Sequence, residues 1–87
     1  MLKFIETYRK KSELRRLKLK YRSECDYLSC CQFTLKKSIA KEHHNLSKAL
    51  REIITESTAE CNRLKEKIAL IYEWLRVARE NNKTMTT

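Results

Sequence analysis

The side chains able to do covalent or metal chemistry are few: Cys25, Cys30, Cys31 and Cys61, with His43 and His44 at mid-chain. Thiolates and imidazoles together make zinc sites, and a thiol beside an imidazole makes a nucleophile. The spacing argues against both. Helical ligands to one ion want separations of three or four residues, whereas Cys25 and Cys30 are five apart and Cys30 projects away from Cys31. No C-x2-C or H-x3-H pair occurs. Cys25, Cys31 and Cys61 read as small core residues and Cys30 as a more exposed thiol. A nucleophile also needs a shaped cleft, and this chain has no Gly and no Pro with which to build the tight loops that shape one. The expectation is a non-enzymatic protein without metal or cofactor.

The elements that position these residues follow from composition and period. With 87 residues, 41% hydrophobic and 36% charged, the chain is one unit, too apolar for disorder and too charged to span a bilayer. No stretch approaches the roughly 20 apolar residues of a transmembrane helix. The start "MLKFIETYRKK" lacks the apolar segment of a secretory signal, so an intracellular protein, cytoplasmic or nuclear, with reduced thiols is expected. The basic first 22 residues keep a mitochondrial presequence as an alternative, which Glu6 and Glu13 oppose.

At 100° per residue, one stripe collects Leu14, Leu17, Tyr21, Leu28, Cys31, Leu35, Ile39, Leu46, Leu50, Ile53, Cys61, Leu64, Ile68, Ile71, Leu75 and Ala78. Its shared phase predicts an all-α protein, read first as a long amphipathic coiled-coil helix of roughly 98 Å over the striped residues. The alternative is an antiparallel helical hairpin turning near residues 43–45, with Asn45 capping the second helix, Leu28 near Cys61 and Leu14 near Leu75. A small helical bundle is the third form, in which Ser57 and Glu60 make a capping box before a last helix.

Three segments are expected: a basic part over 1–22, an association region over 23–80 and a frayed tail over 81–87. In heptad terms the first half places Leu14, Tyr21, Leu28 and Leu35 at a, with Leu17, Glu24, Cys31 and Ser38 at d. From Cys61 onward the stripe is uniformly apolar. There Leu70, Trp74 and Val77 add a second stripe, which predicts a bundle of three or more helices at that end. Phe4, Ile5 and Tyr8 point about 150° away from the main stripe, so a kink near Lys11 and Ser12, with Ser12 capping a helix from Glu13, or a separate docking tip is expected.

Charge is concentrated at one end. Residues 3–22 hold nine cations against two acids, a local charge of +7 in a chain whose total is +9. On a helix Lys11, Arg15, Lys18 and Arg22 form one ladder and Arg9, Arg16 and Lys20 another, with the apolar seam between them. Such ladders suit an acidic protein partner or the phosphates of a nucleic acid. A basic zipper is not resembled, because the seam runs through the basic segment and no cluster of Asn, Ala and Arg for base reading is present.

The functional expectation is an oligomerising interaction or scaffold subunit with a homo- or hetero-oligomeric helical protein partner. Its interface would draw on Leu14, Leu17, Tyr21, Leu28, Leu35, Ile39, Leu46, Leu50, Ile53, Leu64, Ile68, Ile71, Trp74 and Leu75. Its basic residues Arg9, Lys11, Arg15, Arg16, Lys18, Lys20 and Arg22 would meet an acidic partner. Nucleic acid is the second candidate, and a membrane surface a poor third.

Overall fold

The computed structural model describes residues 2–85, and side chains within 4–81. It contains two helices, α1 (Leu2–Ala40) and α2 (His44–Met85), joined by a three-residue turn. They lie antiparallel as a rod of 67 × 16 × 14 Å. The all-α class holds, and its form is the hairpin; the single continuous helix is replaced because the backbone reverses at Lys41–His43.

The reversal is made by hydrogen bonding at the end of α1. The Glu42 N–H donates to the Ile39 carbonyl at 3.0 Å and the His43 N–H to the Ser38 carbonyl at 3.0 Å. These bonds satisfy carbonyls that a helix end otherwise leaves unpaired. The geometry requires a left-handed residue, and Glu42 supplies it at φ 58°. Glycine usually takes this position because a Cβ there crowds the carbonyl oxygen. In a chain without glycine the strain falls on Glu42.

The new helix begins when the Ser47 N–H donates to the His43 carbonyl at 2.9 Å, so His43, not Asn45, is the capping residue. Asn45 lies inside the first turn of α2. The Ser38 hydroxyl donates to the His43 carbonyl at 3.1 Å and shares a 2.8 Å hydrogen bond with the Ser47 hydroxyl. One serine thus binds both sides of the turn.

The Ser38–Ser47 pair also fixes the register of the coiled coil. Moving away from the turn by alternating steps of three and four residues sets Leu35 opposite Leu50, Cys31 opposite Ile54, Tyr21 opposite Leu64 and Leu14 opposite Ile71. Leu14, Leu17, Leu64 and Ile71 form the buried core, with Tyr21, Ile68 and Leu75 packed against it. That core lies in the half of the rod away from the turn. Nearer the turn the seam is mixed, with Ser38, Ser47 and Ser57 buried in it beside Cys31 and Leu50.

Neither helix breaks where local signals suggested. Ser12 lies within α1, where its hydroxyl accepts from Arg15 at 3.5 Å, and no new helix starts at Glu13. Ser57 lies within α2 and donates to Glu24 Oε1 of α1 at 2.8 Å instead of capping. A side chain that pairs across the seam has no reason to interrupt its own helix. α2 continues to Met85 through most of the segment expected to fray, while Met1, Thr86 and Thr87 lie outside the described residues.

Candidate functional site

Folding back places the basic segment of α1 beside the last third of α2, at the open end of the hairpin. Residues 63–87 carry six cations against three acids, while residues 23–62, which include the turn, carry five against six. The net positive charge therefore resides at the open end. Arg9, Lys11, Arg15, Arg16, Lys18, Lys20 and Arg22 are all exposed there. Among the described residues no ion pair engages any of them; the pairs are Arg63 with Glu60 and Arg76 with both Glu73 and Glu80. Arg76 holds the Glu73 carboxyl below its ordinary value by hydrogen bonding and by charge. Arg76 is thus ion-paired within its own helix, and among the described residues those seven α1 cations carry no ion pair.

The two ladders lie on opposite sides of the seam. On one side Arg16 and Lys20 rim a groove of about 480 Å³, with Lys10, Glu13 and Lys67, over a floor that includes Leu17, Leu64, Leu70 and Ile71. On the other, the Lys18 ammonium sits 4.9 Å from the centre of the Tyr72 ring, and Lys11, Arg15 and Arg22 continue the row. Lys10 occupies a seam position and reaches the Trp74 ring at 5.9 Å. These cation–ring contacts tie the basic segment to α2 across the seam.

Most of the stripe residues read from the sequence lie between the chain's own two helices. Leu14, Leu17, Leu50, Leu64 and Ile71 are buried, and Tyr21, Leu28, Leu35, Ile53, Ile68, Trp74 and Leu75 are half-buried. Ile39 and Leu46 lie outside the seam, exposed by 50% and 46%. Ile54, half-buried like Ile53, takes the seam position opposite Cys31 by register, and the stripe omitted it. Among the described residues no third helix covers the second stripe: Leu70 is 70% exposed and Val77 is exposed beside it, while Trp74 is half-buried under Lys10. Phe4, Ile5 and Tyr8 are exposed on α1, which leaves apolar surface among the cations.

Halfway along the rod is a polar layer that the sequence reading left unassembled. Glu24 accepts from Ser57, and the Cys25 and Cys61 sulfurs approach to 4.0 Å across the helices. Burial, followed by the hydrogen bond with Cys25, pushes the Cys61 thiol up from its ordinary value. The Tyr21 hydroxyl is raised in the same way, first by its hydrogen bond with Cys25. Cys30 is exposed and Cys31 is buried. Among the described residues no group of three or more His, Cys, Asp or Glu is placed to hold a metal ion, and no helix is long and apolar enough to cross a membrane.

Comparison with protein families, with curated proteins and with solved structures finds no match to this chain. The functional reading therefore stands on the geometry alone.

Proposed function

We propose that this protein is a non-enzymatic helical interaction module whose open end docks an acidic protein partner. The observation that carries the reading is the separation of charge along the rod: the α1 cations are exposed, unneutralised and gathered at one end. Exposed cations alone are often only a solvated face. Here they alternate with Phe4, Tyr8, Leu19, Leu70 and Val77, apolar side chains that gain by being covered. An acidic amphipathic helix suits such a surface, with carboxylates for the ladders and apolar residues for Leu70 and Val77.

The rod shape supports the same reading. The molecule exposes 7371 Å², against about 5,400 Å² expected of a compact monomer of this mass. Among the described residues the two helices leave no further element to cover that excess. The seam expected to recruit a partner helix is occupied by the chain's own α2, so association falls to the open-end surface.

A nucleic-acid partner is the second reading, favoured by the row of Lys11, Arg15, Lys18 and Arg22, which spans about 16 Å of helix. Titration of the protein with an acidic amphipathic peptide and, separately, with a random-sequence duplex over 50–300 mM salt separates the two. Peptide binding that persists at 150 mM salt, with duplex binding falling a hundredfold or more over the range, supports the proposal. Tight duplex binding at 150 mM salt without peptide binding transfers the open end to nucleic acid.

A further inference from the structure

Two thiols from different helices meet in the middle of the rod. Cys25 projects from the flank of α1 and is half-buried; Cys61 sits in the seam of α2 and is buried. Their sulfurs are 4.0 Å apart, and the two residues stand thirty-six positions apart in the sequence with the turn between them. A disulfide needs the sulfurs at about 2.05 Å, so closure asks for a movement of about 2 Å. Rotation about χ1 of the exposed-side Cys25 supplies motion of that size without moving the helices.

We propose that Cys25 and Cys61 are an oxidation site at which the hairpin stitches its two helices together. The oxidant class is a low-molecular-weight disulfide such as oxidised glutathione. The Cys25 thiolate, the more accessible of the two, attacks one sulfur of that disulfide, and one small thiol leaves with a proton. The Cys61 thiolate then attacks the Cys25 sulfur of the mixed disulfide and expels the second small thiol. The two cysteines lose two protons and two electrons, and the small disulfide is reduced to two thiols. Burial holds the Cys61 thiol in its protonated form, so the second step is the slow one and accelerates as the pH rises.

The layer around the pair gives the bond a purpose. Glu24 and Ser57 lie beside it in the seam, and a polar layer contributes less to holding the helices than the leucines of the open half. A covalent bond there closes a long loop and removes freedom from the opened chain. The stitched hairpin keeps its basic arms paired; the reduced one can part them. This inference concerns the thiols alone and stands whatever partner the open end binds.

The first test uses the wild-type chain, and two serine variants serve as controls. The protein is incubated with oxidised glutathione, its free thiols are blocked, and peptides are mapped without reduction. The expected product is a monomer lighter by two hydrogens, with Cys25 joined to Cys61 and an unfolding midpoint about 10 °C or more higher, reversed by dithiothreitol. Cys30→Ser should leave the cross-link intact and Cys25→Ser should abolish it. Dimers joined through Cys30, a lasting glutathione adduct on Cys25 with Cys61 still free, or a cross-link that lowers the midpoint would each overturn the proposal.

Discussion

Glu42 carries the turn, and its backbone is the one place in the described chain where a residue other than glycine holds positive φ. The strain of an L-residue in that region is about 1–2 kcal/mol. Glu42→Gly is therefore predicted to raise stability by about 1 kcal/mol in urea unfolding, with the helical content unchanged. A lower midpoint would mean that the Glu42 side chain contributes more than its backbone costs. Ser57 presents the opposite case, because its hydroxyl gives Glu24 a partner inside the seam. Ser57→Ala is predicted to destabilise by about 1–2 kcal/mol in the same measurement, and a neutral result would show that water serves Glu24 as well. Neither role was legible in the sequence. Turns are read from glycine, proline and asparagine, so a chain without the first two drew attention to Asn45, while the reversal used backbone bonds at residues 41–43. Ser57 and Glu60 carried a capping signal that is local, and the bond that decided the matter came from Glu24 on the other helix.

At the scale of the helices, the seam of α1 was legible residue for residue: the a and d assignments from Leu14 to Ser38 are the positions that face α2. The stripe also located most of the α2 seam, at Leu50, Cys61, Leu64, Ile68, Ile71 and Leu75, and missed near the turn, where it selected the exposed Leu46 and passed over the buried Ser47 and the half-buried Ile54. A search for apolar residues also cannot find a buried serine: Ser38 was placed at d as a polar residue and Ser47 was given no place in the seam, although the two are the pair that sets the register. Exposure and packing make a contrast that tests this account of α2. Leu64, 1% exposed within the core, is predicted to lose about 2–5 kcal/mol on Leu64→Ala. Leu46→Ala, at a position 46% exposed, is predicted to lose under about 1 kcal/mol. Equal losses by thermal unfolding would move the seam by one residue.

For the whole molecule, the charge gathered at residues 3–22 was readable from composition, but its neighbours were not, because only the reversal brings residues 63–81 alongside. Lys11→Glu with Arg15→Glu is predicted to weaken binding of an acidic peptide at least tenfold at 50 mM salt while leaving the circular dichroism spectrum unchanged. Affinity that survives this double reversal would direct attention to the Arg16 and Lys20 groove on the other side of the seam. Both consequences presuppose that one chain folds back on itself. Small-angle scattering with mass determination over a dilution series tests that most directly. The hairpin predicts a monomer of 10.5 kDa with a radius of gyration near the 19.5 Å of its Cα atoms, unchanged on dilution. An unbroken helix of this length would give about 37 Å, and such a value, with a mass of two chains or more, would contradict the account.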